Sequence, residues 1–383
     1  MSTRTPAAGR PDGASPTGPG RAEGTSELVE RVLDVADVRR NRDLIRRLVD
    51  ATLRLARDDT SRLDLKIAGS AIAEMADAFK MFAPLHDVPK VTIFGSARAG
   101  PSDALYVLAR DLARRMAESG WMVVTGAGPG IMAAGNEGAG RDMAIGVNIQ
   151  LPFESEPNPW IEDEKLVEMK YFFTRKLMLM KESTGFLVLP GGFGTLDEAF
   201  ELLTLLQTGK AEPAPIALVD TPGGTYWQGW ERFVTEQVYA NRLADELDAS
   251  LYRVTDDVEV AADELLRFHR NYHSRRFVGK VMVIRLRHAP SEEDIGRLGE
   301  EFSDITSGAG IWRTEPLPAE RASHDHLELA RIAMEFDRAH HGRLRQLIDA
   351  LNDLVPPGTA TDTPPAGETG TFTGGDEEPP PEA

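Results

Sequence analysis

Between Pro190 and Glu198 the chain reads Pro-Gly-Gly-Phe-Gly-Thr-Leu-Asp-Glu, a spacing suited to holding an anion. Ahead of it, Phe186-Leu187-Val188-Leu189 has strand character; behind it, Leu196, Phe200, Leu203 and Leu206 recur at helical spacing. A strand that empties through glycines onto a helix N-terminus turns backbone N–H groups toward a ligand. The helix dipole adds roughly 0.3–1 kcal/mol of preference for negative charge. Phosphate is the anion expected at Gly191, Gly192, Gly194 and Thr195. Thr195 and Glu198 also fit a capping box, in which Thr195 caps the helix and Glu198 reaches back to it with no ligand involved.

Two further glycine turns follow strand-like runs: Gly95-Ser96 after Val91–Phe94, and Gly126-Ala127-Gly128-Pro129-Gly130 after Met122–Thr125. In an open α/β sheet such turns share the carboxyl edge, so three of them suggest a nucleotide-sized ligand. The dinucleotide fingerprint fails, because the third glycine after Gly126 and Gly128 would fall on Ile131, and no acid ends the strand Ala144–Ile149. No Gly-Lys-Ser/Thr is present in these turns, so the triphosphate-binding loop fails too. A mononucleotide fits better. Arg175, in Tyr171-Phe172-Phe173-Thr174-Arg175-Lys176, opens the helix before the 186–189 strand and is placed to reach the same crevice.

The elements that must position these residues form an alternating series. From Lys90 to about His269, strands at 91–94, 122–125, 144–149, 166–169, 186–189 and 216–219 alternate with helices, and a last unit runs from Tyr252 to His269. That order predicts a doubly wound, Rossmann-like parallel sheet over 89–275. Before it, 26–88 reads as a helical leader, with one helix carrying Leu28, Val32, Val35 and on to Leu55, and a second after Thr60-Ser61. The arginines of the first helix read as a solvated face. After it, 279–353 reads as a small C-terminal α/β appendage: strand 281–286, helix 292–302, strand 311–314 and a long helix 326–351. Residues 1–25 and the acidic, proline-rich 354–383 have compositions that predict disorder.

The 383 residues carry 61 acidic against 43 basic side chains, a net charge of −18, which argues against a nucleic-acid surface. With no cysteine, disulfides, thiolate nucleophiles and cysteine metal sites are excluded. No apolar run approaches a membrane span, and residues 1–21 lack the apolar core of a signal peptide, so a soluble cytoplasmic protein without membrane partners is expected. His269 and His273 fall four apart on a presumed helix without a third ligand, and no metal or cofactor is expected. His324-Asp325-His326 reads as a helix start, and Tyr226, Trp227 and Trp230 as packing aromatics.

The run from Val91 to about Asp220 resembles the LONELY GUY family of cytokinin-activating phosphoribohydrolases. The resemblance rests on Phe94-Gly95-Ser96, Gly128-Pro129-Gly130-Ile131-Met132, Leu151-Pro152-Phe153-Glu154 with Pro157-Asn158-Pro159, Phe172-Phe173-Thr174-Arg175-Lys176 and the 190–198 motif. It implies hydrolysis of the N-glycosidic bond of a nucleoside 5′-monophosphate to free base and ribose 5-phosphate, by a homodimer or larger homo-oligomer. It implies that Gly191, Gly192, Gly194 and Thr195 hold the phosphate and that Arg175 and Glu198 act at the ribose. It extends the binding set to Gly95, Ser96, Gly128, Gly130, Met132, Asn136 and Lys176. Longer relatives usually carry Glu after Gly-Ile-Met, where this chain has Ala133, and Asn136 is retained. A cytokinin nucleotide or AMP is the implied substrate. A non-catalytic nucleotide-binding protein and a broader purine or pyrimidine nucleotide nucleosidase are the alternatives.

Overall fold

A computed structural model describes residues 19–151 and 156–356, with side chains from residue 27. The expected disorder of 1–18 and 357–383, and Pro152-Phe153-Glu154 of the family motif, lie outside the described residues. The chain divides into two compact units, Met1–Ser70 and Ala71–Ala383.

The first unit is helical: α1 (Pro19–Val35), α2 (Arg42–Arg57) and the start of α3 (Arg62–Phe82). The single helix expected up to Leu55 is two, because the chain breaks between Ala36 and Asn41. Asp37 and Asn41 there take left-handed backbone, which short polar side chains tolerate. Helix α1 also begins inside the stretch whose composition suggests disorder, with Pro19 in the first turn, where a missing N–H costs nothing.

In the second unit seven strands form one parallel sheet in the order β4-β3-β2-β1-β5-β6-β7. They are β1 (Lys90–Phe94), β2 (Met122–Thr125), β3 (Ala144–Ile149), β4 (Leu166–Met169), β5 (Gly185–Val188), β6 (Ile216–Val219) and β7 (Arg253–Thr255). The near-continuous apolar strands are covered on both faces, as a parallel sheet requires. On one face α4 (Ala104–Glu118), α5 (Ile131–Ala139) and α9 (Val258–Phe268) pack on Val91, Ile93, Val123, Leu187 and Val219. On the other, α6 (Phe172–Lys181), α7 (Phe193–Gln207) and α8 (Tyr226–Phe233) close over Phe94, Val124, Val147, Phe186 and Val188 with Trp227 and Trp230. Residues Val234–Tyr239, directly after α8, form a wider π-turn. The strand order reverses between β1 and β5, which puts the ligand crevice at their carboxyl ends.

The chain then builds an antiparallel sheet, β10-β11-β9-β8, from β8 (Tyr272–Val278), β9 (Val281–Leu286), β10 (Thr306–Arg313) and β11 (Ala330–Phe336). Helices α10 (Glu292–Glu301), α11 (Pro318–Ser323) and α12 (His341–Asp353) accompany it. This corrects three expectations. The sheet opens at Tyr272, so a boundary at 275 cuts the β8–β9 hairpin, and His273 lies on a strand, not on a helix with His269. The long helix at 326–351 is β11 followed by α12. Ile332, Met334 and Phe336 have the two-residue period of a strand, and all three enter the core with Leu344, Leu347 and Ile348. On the opposite face Glu320, fully buried, accepts from Arg285 at 2.9 Å, Arg331 at 3.3 Å and the Leu317 N–H at 3.0 Å.

Among the described residues no group of three His, Cys, Asp or Glu could hold a metal, and no helix is long and apolar enough to cross a membrane.

Candidate active site

The switch point brings the three glycine turns together through backbone bonds. Leu189 N–H donates to the Phe94 carbonyl at 2.9 Å, Ser96 N–H to Pro190 at 3.2 Å, and Ile131 N–H to Ser96 at 2.9 Å. Gly130 sits at φ +70°, and a Cβ there would meet the Ser96 carbonyl at 2.3 Å, so only glycine allows this approach.

Helix α7 starts at Phe193, with Gly192 as its N-cap and no side-chain cap. Leu196 N–H donates to the Gly192 carbonyl at 3.1 Å. Thr195 is therefore the third helical residue and Glu198 lies a turn deeper, which removes the capping-box reading of both. At Gly192 and Gly194 nothing lies within 4 Å of a built Cβ, so packing does not explain these two glycines. Open glycine backbone at the start of α7 is the arrangement an oxyanion needs. Gly191 is different: its built Cβ would lie 2.2 Å from Thr195 Oγ1. Its carbonyl accepts from the Tyr226 hydroxyl at 2.8 Å. Asp220, at the end of β6, fixes that tyrosine by accepting from the Tyr226 N–H at 2.9 Å. Composition cast Tyr226 as packing; only its place just beyond the same sheet edge hinted at more.

Arg175 lies in the second turn of α6. Its Nε donates to the Val147 carbonyl at 3.0 Å and its Nη2 to Gly126 at 3.0 Å, so it spans the carboxyl ends of β3 and β2. Glu74 on α3, which no motif marked, holds the start of α6 by accepting from Tyr171 N–H at 3.3 Å and Thr174 Oγ1 at 2.7 Å. The Glu198 carboxyl is half-buried, and burial pushes it up to about 7 against the pull of Arg175 and then Lys176. Arg175 and Glu198, distant in sequence, thus share one electrostatic environment. Lys176 bridges Asp197 at 2.6 Å and Glu201 at 2.5 Å on α7.

Asn136, expected at the substrate, is fully buried and supports the second turn. Its Oδ1 accepts from Thr125 Oγ1 at 2.6 Å and Asn158 Nδ2 at 3.0 Å. Asn158 Nδ2 also reaches the Ala127 carbonyl at 3.0 Å, across a turn in which Ala127 is held at φ +61°. A non-glycine residue in that conformation stores strain, as binding turns often do. Met132 packs its thioether over Gly126 and Gly128 beside Arg175. Ala133 follows it, half-buried.

A family model described as "Possible lysine decarboxylase" matches residues 128–265. A cytokinin riboside 5′-monophosphate phosphoribohydrolase of Mycobacterium tuberculosis is 31% identical over 152 residues, which cover 38% of this chain and 75% of that protein. A probable enzyme of the same name from Arabidopsis thaliana is 30% identical, over 37% of this chain and 68% of that protein. Another, from Oryza sativa subsp. japonica, is 28% identical; the match takes in 39% of this chain and only 61% of the rice protein's length. Similar solved structures include the molybdenum cofactor carrier protein of Chlamydomonas reinhardtii, at 21% identity and TM-score 0.33 over 46% of this chain and 94% of that one. The molybdenum cofactor binding protein of Rippkaea orientalis is at 18% identity and TM-score 0.33, over 45% of this chain and 91% of that one.

Proposed function

This chain belongs to the LONELY GUY family, and from that premise we propose that it hydrolyses the N-glycosidic bond of a nucleoside 5′-monophosphate to free base and ribose 5-phosphate. The observation that carries the reading is the place of Glu198. It sits one turn inside the helix whose open N-terminus suits a phosphate, it caps nothing, and it shares its surroundings with Arg175. Phosphate on the N–H groups from Gly192 to Thr195 leaves the ribose beside that carboxylate.

Glycosidic cleavage builds positive charge at the sugar's anomeric carbon as the bond to the base breaks. An ionised Glu198 stabilises that charge and accepts a proton from the attacking water, whose oxygen joins the anomeric carbon while the departing base takes up a proton. A carboxyl held near 7 changes protonation in the neutral range, as such a base requires. Arg175 keeps the turns after β2 and β3 in place and favours the ionised form of Glu198 that the step uses.

The substrate is an adenine-type nucleotide, a cytokinin nucleotide or AMP; the working form is a homodimer or larger homo-oligomer, and the compartment the cytoplasm. Incubation with a panel of purine, pyrimidine and N6-substituted adenosine monophosphates, followed by assay of free base and ribose 5-phosphate, tests this. Release from adenine nucleotides alone is expected. Release across the panel would make the protein a broad nucleosidase, and tight binding without release would leave a nucleotide-binding protein.

A further inference from the structure

The turn after β5 is held from both neighbouring strands. Its Pro190 carbonyl accepts from the Ser96 N–H, just beyond β1, at 3.2 Å. Its Gly191 carbonyl accepts from the Tyr226 hydroxyl, beyond β6, at 2.8 Å. The peptide joining Gly191 to Gly192 lies between two glycines, so nothing in its own chain resists its turning over. A planar trans peptide points its N–H opposite to its carbonyl. Drawing the Gly191 carbonyl onto Tyr226 therefore fixes the Gly192 N–H on the other side, away from that hydroxyl. Among the described residues nothing accepts from the N–H groups of Gly192, Phe193, Gly194 or Thr195. The tyrosine is itself firmly placed. Asp220, buried, accepts from the Thr221 N–H at 2.8 Å and the Tyr226 N–H at 2.9 Å. A Cβ on Gly224 would lie 2.3 Å from the Asp220 carboxyl carbon, so a glycine lets the loop close on that side chain. The Tyr226 ring stands edge-on to the buried Trp227, with centroids 4.8 Å apart.

We propose that Tyr226 is a positioning residue for the substrate's phosphate. Its hydroxyl locks the Gly191–Gly192 peptide in the orientation that adds the Gly192 N–H to the donors at the start of α7. The inference rests on reading that start as the phosphate site. Tyr226 acts through the backbone and leaves the chemistry at the ribose to other groups. Its contribution is to binding, because the phosphate keeps the same charge and bonds while the glycosidic bond breaks.

The test is Tyr226→Phe in the full chain, which removes the hydroxyl and keeps the ring on Trp227. With a nucleotide that the parent cleaves, KM and the inhibition constant of inorganic phosphate should both rise roughly tenfold, as for one donor lost from a charged acceptor. The kcat should stay within about twofold, the signature of binding used equally in ground and transition states. Tyr106→Phe is the control: it removes a hydroxyl that donates to Glu137 at 2.7 Å and has no tie to the turn. Both variants should melt close to the parent without ligand, and only Tyr226→Phe should lose part of the rise that phosphate gives. Unchanged KM and phosphate inhibition in Tyr226→Phe overturn the inference and leave the phosphate site standing. So does an equal rise in Tyr106→Phe, or a fall in kcat at constant KM. A parent that neither releases base nor gains melting temperature from phosphate overturns the site reading and this inference with it.

Discussion

The Arg175 guanidinium occupies the space a side chain on Gly126 would need: its Nη2 donates to the Gly126 carbonyl at 3.0 Å, and a Cβ built on Gly126 would lie 1.9 Å from the same nitrogen. The two residues are one structural unit, in which a glycine makes room and an arginine closes the turn over the ligand crevice.

Arg175→Gln should therefore do two things. It should destabilise the fold by about 1–3 kcal/mol, since two strand-end carbonyls lose a charged donor. It should also move the inflection of the pH–rate profile that belongs to Glu198 upward, because Arg175 is the largest influence holding that carboxyl down. A denaturant curve and a pH–rate profile check both; an inflection that stays put would separate Arg175 from Glu198.

Glu198→Gln should lower turnover roughly 10²-fold or more, about 2.7 kcal/mol, while nucleotide binding survives. The same variant carries a stability signature. The folded Glu198 holds its proton up to about 7, so the folded state binds more protons than the unfolded chain between the ordinary carboxylate range and that pH. Its stabilising contribution is present at low pH and is lost as pH rises toward 7. Glu198→Gln should thus gain on the parent between pH 5 and pH 8, by on the order of 1 kcal/mol because the group is only half-buried. Melting curves at the two pH values read this directly, and a variant that loses ground instead would contradict the assignment.

The glycines should divide by role. Gly192→Ala meets no protein atom, so its melting temperature should stay near the parent's while affinity for inorganic phosphate and nucleotide falls. Gly130→Ala forces a Cβ onto the Ser96 carbonyl at left-handed φ and should destabilise by about 1–3 kcal/mol or more. Calorimetry with a phosphate titration compares them.

Glu320→Gln should destabilise the chain by about 3–5 kcal/mol, because it leaves Arg285 and Arg331 buried with an incomplete partner. The purified variant, where it folds, should release base at the parental rate per folded chain. Urea unfolding beside an activity assay distinguishes this from a role in the reaction.

The sequence by itself determined the parallel sheet, the three glycine turns and the glycine-rich start of α7, because each is written in neighbouring residues: an apolar run, a glycine turn, a helical period. It also singled out Arg175 and Glu198. It misplaced what depends on register or on distant partners. The capping box fails because Gly192 starts α7 earlier than Thr195 would; β11 reads as helix in the sequence because its two-residue period lies beside the stronger pattern of α12. The partners of Asn136 and Lys176 were not legible, since Thr125, Asn158, Asp197 and Glu201 meet them only after folding. The grip of Arg175 on Gly126 and Val147 and the raised carboxyl of Glu198 are likewise properties of juxtaposition. Local periodicity encodes elements; burial and pairing across the sheet edge, which set the chemistry, exist only in the tertiary structure.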